Sequence, residues 1–529
     1  MLDRLDHALR RRPERPAVLT ATRTGAPRVR ARCGELADLA DAYAAALHAR
    51  GLRAGDTVGV AVRPGPRALA LLLALWRLGL RGAVLDPGAG PDVLRARLAL
   101  ARPSLVVADA AAQAVAGWAR PLARRARLAL PDLAGLGGPV ATVGRWLPGC
   151  APALDLRAPR PAGGLAGSGA FPSSVDGDAD AVIVFTSGTT SKPRAVVHTR
   201  ASLAAGMETV SALFTGAGEP AGAGGRTGAG VRTRAGRLGG DGDRPVLGGT
   251  FFVLVPALTR GAPVALPARS PRVLARQLHR LKPADTYLTP PQLRDALRAE
   301  ARFHGRVWTG SAPAGAELLG RVRDAGADQA WGVYALTELF PAAAVEAREK
   351  AAYDGPGDLV GAPLPGVAAK TDEDGQLLLA GPAARHRYLG EEPDPWVRTG
   401  DRARLDGTGR IVLEGRTKDM VLRRAENIYP GLYEPSLHVP GVELAVLVGV
   451  PAGGTAEAAG DERLVALVQP RHGAAEPQLR AALAGPLRRM GSARPDAVVF
   501  AEVPLSGRSR KPDRAAAAAL AASRLRTGR

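Results

Sequence analysis

Between residues 181 and 199 the chain reads AVIVFTSGTTSKPRAVVHT. The apolar run Ala181 to Phe185 predicts a short buried strand. It leads into six small residues, Thr186, Ser187, Gly188, Thr189, Thr190 and Ser191, with Lys192 and Arg194 just beyond. Short hydroxylic side chains can turn back into such a loop, and Gly188 lets the backbone approach a ligand closely. Backbone N–H groups and hydroxyls that converge on one point form a cradle for phosphate oxygens. The two cations add positive charge at the far end. A Walker A loop is excluded, because no Gly-Lys-Ser/Thr follows at the required spacing. On these residues alone, an ordinary Ser/Thr/Gly connection between strands remains open.

Four further segments follow in order: WTGSAPA (308–314), VYALTELF (333–340), VRTGDRARLDGTGRIVLEGRTKD (397–419) and PLSGRSRKPDR (504–514). With the loop at 186–194, this series resembles the adenylate-forming superfamily of acyl-CoA synthetases, aryl-CoA ligases, peptide-synthetase adenylation domains and luciferases. The family's loop is close to TSGTTGxPKGV; here Ser191 and Ala195 replace glycines and Arg194 replaces lysine. The resemblance implies that Thr186, Ser187, Gly188, Thr189, Thr190 and Lys192 hold phosphate, and that Gly310, Ser311, Ala312 and Pro313 lie against adenine. It implies that Tyr334 stacks on the adenine, Thr337 touches the α-phosphate and Glu338 holds Mg²⁺, a cation that takes one or two carboxylates plus phosphate oxygens. Asp401 falls where the family binds both ribose hydroxyls, a task a carboxylate suits. Arg416 matches an arginine that also reaches the nucleotide. Lys418 falls at the hinge, and Lys511 aligns with the catalytic lysine, with Arg514 as the trailing arginine.

By the same resemblance, the expected reaction is attack of a carboxylate, fatty or aryl, on the α-phosphorus of ATP. Lys511, Mg²⁺ and the loop offset the charge repulsion, and pyrophosphate leaves in line. Most members then rotate the small domain and pass the acyl group to CoA or a carrier-protein thiol. Two departures bear on that second step. Ala425 stands where a glycine usually lines the thiol tunnel. No histidine marks the acyl gate; the apolar run TFFVLVPAL (250–258) stands there instead. That run and TELFPAAAVEARE (337–349) also resemble β-lactone synthetases, which activate a hydroxy acid without CoA. A nucleotide-binding protein without turnover is the remaining alternative.

The elements needed to position these residues are legible in outline. Helical spacing marks residues 35–49, closed by Gly51 as a C-cap, and 68–80; strands are expected over 57–62 and 83–85. Strands alternating with helices predict parallel α/β layers. The expected fold is α/β: a large N-terminal domain of layered α/β subdomains (1–415) and a small mobile α+β domain (416–529) carrying Lys511. Residues 406–409 read as a hairpin turn, 445–450 and 463–468 as strands, 479–487 and 515–524 as helices, and 250–258 and 263–266 as strands. The Gly- and Arg-rich stretch 215–249 reads as a flexible loop.

The 529 residues carry a formal charge of +21, yet only six are lysines, and isoleucine occurs three times and asparagine once. That pattern reads as GC-rich codon usage with arginines spread evenly, so no nucleic-acid partner is expected. Two cysteines, Cys33 and Cys150, provide no disulfide framework or zinc spacing. No secretory h-region opens the chain, and the run Ala68 to Trp76 is too short for a membrane span. A cytoplasmic setting is the expectation.

Overall fold

The protein is described by a computed structural model over residues 2–86, 91–110, 113, 139–157, 176–186, 194–215, 244–423, 426–451, 462–507 and 510–527. A 13-stranded sheet and a seven-stranded sheet dominate these residues. Half of the larger sheet is parallel: Gln329–Tyr334, Arg306–Thr309, Asp285–Tyr287, Val246–Leu247, Val264–Ala265 and Pro16–Ala21 lie side by side. Its other half is antiparallel and holds the hairpin Val397–Leu405/Ile411–Arg416 between the strands Gln376–Ala380 and Asp358–Pro363. The seven-stranded sheet is parallel from Asp180–Phe185 through Arg81–Val84, Thr57–Ala61 and Leu105–Asp109 to Val140–Val143, with Ala195–Thr199 and Arg387–Tyr388 antiparallel at one side.

The two-residue period of the strands sorts side chains between layers. Val18, Val246, Val264, Trp308 and Trp331 enter a core shared with the helices Cys33–Ala49, Pro66–Arg77, Arg200–Thr215 and Phe251–Thr259 and with Val58 and Val107 of the smaller sheet. Their chain neighbours Leu19, Leu247, Ala265, Val307 and Ala330 point the other way, onto the helices Pro271–Leu281, Pro290–Arg298 and Ala316–Asp324. The parallel half of the large sheet is thus covered on two faces, as parallel sheets require.

Residues beyond 420 build their own cores. Val442–Pro451 pairs antiparallel with Glu462–Pro470, and Ala497–Phe500 adds a parallel third strand. Leu479 and Leu483 of the helix Glu476–Arg489 cover one face, and Ala517 and Ala521 of the helix Arg514–Thr527 cover the other. The result is a two-domain α/β fold with a small α+β unit at the C-terminus.

Two sequence expectations are corrected. The run TFFVLVPAL is a helix, Phe251–Thr259, not a strand. An unbroken apolar run cannot distinguish a buried strand from a buried helix; here Val253 to Leu258 are buried on every side. Pro256 removes one helical hydrogen bond, at about 3 kcal/mol. Burial of Val253, Leu254, Val255 and Leu258, worth about 1.5–3 kcal/mol for each such side chain, outweighs it. The second correction concerns the stretch 215–249. Thr215 ends a helix and Val246–Leu247 is a buried strand of the large sheet; two residues are too few to show a period. The remainder of that stretch, residues 216–243, lies outside the described residues. Among the described residues no helix is long and apolar enough to cross a membrane.

Candidate active site

The parallel strands of the large sheet all end on one edge, where α/β sheets characteristically bind ligands. Tyr287, Thr309 and Tyr334 are the last residues of three neighbouring strands. Gly310 and Ser311 continue from the middle one. A Cβ on Gly310 would lie 2.9 Å from the Val333 carbonyl oxygen, so only glycine fits. Ser311 adopts φ +72°, and its hydroxyl meets Tyr287 Oη at 3.2 Å. Burial raises the Tyr287 pKa, and the Ser311 hydrogen bond partly offsets it. Ala312 and Pro313 complete this turn before the helix at 316.

Asp401 and Arg416 face each other across the hairpin. The turn at Asp406 is held by the Asp406 carboxylate, which accepts from the backbone N–H groups of Thr408 and Arg410. These bonds, against the desolvation that opposes them, hold the Asp406 pKa down at about 2. Leu405 pairs with Ile411 and Ala403 with Leu413; the register then shifts, so that Asp401 pairs with Arg416. Without that irregularity Asp401 would oppose Gly415, because a one-residue slip exchanges the faces. The side chains meet directly: Arg416 Nε donates to Asp401 Oδ1 at 2.9 Å, and Tyr334 Oη donates to Asp401 Oδ2 at 2.6 Å. Asp401 is 5% exposed. Burial, then the Asp401 charge, raises the Tyr334 pKa well above its ordinary value, so the phenol keeps its proton.

Lys511 arrives from the small domain, in a short hairpin that pairs it with Ser506. Its ammonium pKa is lowered, by partial desolvation first and then by the charges of Arg416 and Lys418, while Asp401 acts in the opposite sense. Lys511 keeps solvent access along its length, yet it shares the electrostatic neighbourhood of Asp401 and Arg416. Lys418 lies in the single helical turn Thr417–Asp419. Arg514, three residues beyond Lys511, donates to Asp419 at 3.0 Å, forks onto both Glu434 oxygens at 2.7 and 2.8 Å, and reaches the Leu447 carbonyl at 2.8 Å. It anchors the lysine-bearing segment to the chain just after Lys418.

Thr337 and Glu338 are held by residues that the sequence reading did not single out. The strands Asp180–Phe185 and Ala195–Thr199 flank the Ser/Thr loop, and Thr186 N–H closes it on the Arg194 carbonyl at 3.0 Å. Ser187, Gly188, Thr189, Thr190 and Lys192 lie outside the described residues, as does Ala425. On the second strand, His198 Nε2 donates to the Thr337 carbonyl at 2.7 Å, and its Nδ1 meets Ser202 Oγ at 3.2 Å. Burial lowers the His198 pKa, and the Thr337 bond partly opposes the shift. Tyr388 Oη donates to Glu338 Oε1 at 3.0 Å. The Arg194 guanidinium lies 3.6 Å from the Tyr388 ring centroid. The loop's exit, the Thr-Glu pair and Tyr388 therefore form one connected group. A lone histidine in the alternating run AVVHT was the available signal for His198; Tyr388 gave none.

Glu338 presents a single carboxylate, and among the described residues no three of His, Cys, Asp or Glu gather at one point. A cation there would take its other ligands from phosphate and water, a mode that suits Mg²⁺. The Phe252 and Phe340 rings lie with centroids 3.8 Å apart and planes tilted by 30°. Phe252 lies in the first turn of the helix Phe251–Thr259.

The sequence model of the AMP-binding enzyme family matches residues 5–226 and 246–389, more than half of the chain. The chain is 34% identical over 158 residues to a feruloyl-CoA synthase of Amycolatopsis sp, covering 27% of this chain and 32% of that protein. The chain thus spans about a third of that curated relative in the match. It is 28% identical over 516 residues to an olefin beta-lactone synthetase of Stenotrophomonas maltophilia, covering 85% of each. The fold matches that of the amide bond synthetase McbA from Marinactinospora thermotolerans with a TM-score of 0.71 at 20% identity, over 98% of this chain and 99% of that one.

Proposed function

The chain belongs to the AMP-binding enzyme family, and from that premise we propose that it activates a carboxylic acid, fatty or aryl, with ATP. A substrate carboxylate oxygen bonds to the α-phosphorus, the bond to pyrophosphate breaks, and acyl-AMP results. The observation that carries this reading is the Tyr334–Asp401–Arg416 group at the end of the sheet, whose charges reach Lys511. Asp401 and Arg416 lie on the hairpin strands of the large sheet, and Lys511 of the small domain lies within range of both charges, at the end of the sheet where a nucleotide would lie.

In this reading Asp401 takes the ribose hydroxyls. Its two oxygens offer about four lone-pair sites, of which Tyr334 and Arg416 use two. Tyr334, fixed by its hydroxyl, offers its ring to the adenine beside Gly310, Ser311, Ala312 and Pro313. Thr186, Ser187, Gly188, Thr189, Thr190 and Lys192 cradle the phosphates, and Thr337 meets the α-phosphate. Glu338, oriented by Tyr388, would hold Mg²⁺, which when bound neutralises phosphate charge. Lys511 stabilises the charge that develops on the reacting phosphoryl oxygens. The large domain ends at 415, the small one spans 416–529, and Lys418 is the hinge about which it moves.

The acceptor of the acyl group is CoA, a carrier-protein thiol or an internal hydroxyl. The match to an olefin beta-lactone synthetase over 85% of both chains, and the Phe252–Phe340 pair at the expected gate, favour the internal hydroxyl as a second reading. Pyrophosphate exchange across fatty, aryl and β-hydroxy acids tests activation. Mass spectrometry of the products with and without CoA separates the acceptors. Absence of exchange with every acid, under conditions where ATP binds, would leave only a nucleotide-binding role.

A further inference from the structure

Four charged side chains form one ionic group between the two domains. Glu317 and Arg321 stand one turn apart on the helix Ala316–Asp324 of the large domain. Glu443 is the second residue of the small domain's strand Val442–Pro451, and Arg471 follows its partner strand Glu462–Pro470. Arg321 lies 3.7 Å from Glu317 and 3.4 Å from Glu443. Arg471 lies 3.9 Å from Glu443 and also pairs with Glu317. Each cation therefore touches both anions. The group is largely shielded, with Glu443 only 4% exposed and Arg471, the most open, 30%. Such a shielded network is worth more than the isolated exposed pairs that contribute little. From the same direction, Arg510, next to Lys511, reaches Asp295 of the helix Pro290–Arg298 at 2.9 Å.

We propose that Glu317, Arg321, Glu443 and Arg471 are positioning residues, an ionic latch that holds the small domain, and Lys511 with it, in the present orientation. The latch has a second property. Each domain contributes one acid and one base within ion-pair distance of each other, Glu317 with Arg321 at 3.7 Å and Glu443 with Arg471 at 3.9 Å, while the hydrogen bonds run between the domains. When the domains part, each half keeps an internal partner, and no charge is stranded in a desolvated surface. Breaking an ordinary shielded ion pair leaves an orphan and is strongly opposed. A self-paired quartet lets go at small cost, as a domain that must move each cycle requires. Glu317, Arg321, Glu443 and Arg471 touch no atom of the nucleotide site; they act through the placement of Lys511. This rests on the reading that Lys511 serves acyl-AMP formation.

Three variants separate the cross-domain contacts from the internal ones. Glu317→Arg places like charge against Arg471 and should slow pyrophosphate exchange about tenfold or more, the effect of a population shift above about 1.4 kcal/mol. The ATP KM should change little, because Asp401 and Tyr334 stay in place. Adding Arg471→Glu makes both cross-domain contacts attractive again and should restore exchange. Adding Arg321→Glu instead repairs the internal pair but opposes Glu443, and should leave exchange low. All three should melt within a few degrees of the parent. Wild-type exchange in the Glu317→Arg/Arg321→Glu double variant would overturn the latch. So would a Glu317→Arg/Arg471→Glu variant that folds yet stays as slow as Glu317→Arg alone. If the parent exchanges with no acid, the activity reading fails by itself. The distance between one dye on each domain, read across the same variants, then decides the latch: longer with Arg321→Glu added, parental with Arg471→Glu added, or the inference is wrong.

Discussion

Asp401 accepts from Tyr334 and Arg416 at once, so its orientation is set before any nucleotide arrives. Asp401→Ala removes the ribose acceptor and frees both partners. Hydrogen bonds to a charged group are worth about 1.5–3 kcal/mol, so the ATP KM should rise about tenfold to a hundredfold. The parent should disfavour 2′-deoxy-ATP, and the variant should not discriminate; equal use of both nucleotides by the parent would remove Asp401 from the ribose. Lys511→Ala should instead lower the rate of acyl-AMP formation by about two to three orders of magnitude with ATP binding nearly intact, because the charge acts in the transition state. The depressed Lys511 pKa gives a sign as well. The active ammonium is present at low pH and is lost as pH rises through a value below its ordinary 10.5. Exchange should therefore fall on the alkaline side earlier than for an ordinary lysine, and Lys511→Arg should flatten that limb. Residues with chemistry of their own, such as Asp401, Glu338 and Lys511, were legible because their neighbours in sequence form compact motifs. His198 and Tyr388 were not, because they act on other residues from 139 and 50 positions away.

At the level of elements, the sequence disclosed those with a clear period or a marked end. The helix Cys33–Ala49 closes at Gly51 with φ +84°, as its glycine predicts. The DGTG turn foretold the hairpin, but not the register shift that brings Arg416 opposite Asp401. The helix Phe251–Thr259 was hidden because its side chains are buried all round. Thr250 ahead of the run, and Pro256 within it, were the signals against a strand. His198 joins two elements, the strand leaving the Ser/Thr loop and the Thr337–Glu338 segment, and it does so as a neutral ring. Its folded pKa lies below the ordinary 6.5. Between those values the unfolded chain binds more protons, so stability rises with pH across the window and is flat above it. Acidification below about pH 6.5 should therefore destabilise the protein, by about 1.4 kcal/mol for each unit of depression. His438, half-buried in the small domain, shifts in the same direction by desolvation and adds to the slope. His198→Gln can still donate to Thr337 but cannot titrate. Its melting temperature should lose less between pH 7 and pH 5 than the parent's, and an identical loss would exclude His198 as a source of the acid sensitivity.

On the scale of the whole molecule, the division into a large and a small domain follows from sequence, whereas their mutual placement does not. The placement depends on contacts such as Glu317 with Arg471, 154 positions apart, whose charges look like any solvated surface residues when read along the chain. Besides that ionic contact, a backbone contact lies at the domain junction. Gly415, in the strand Ile411–Arg416, and Gly431, in the short turn Pro430–Leu432, pack main chain against main chain. A Cβ on Gly431 would lie 2.5 Å from the Gly415 Cα and 2.7 Å from its nitrogen. No rotamer relieves such an overlap, since both partners are backbone. Gly431→Ala should therefore tilt the small domain away from the present orientation while leaving its own cores, built around Leu447 and Val465, intact. Pyrophosphate exchange should fall about tenfold or more, a population shift above about 1.4 kcal/mol. Nucleotide affinity measured by calorimetry should stay near the parent's, because Tyr334, Asp401 and Arg416 belong to the large sheet. Full exchange activity in Gly431→Ala would mean that the junction absorbs a methyl group, leaving the ionic contact as the determinant of where Lys511 is presented.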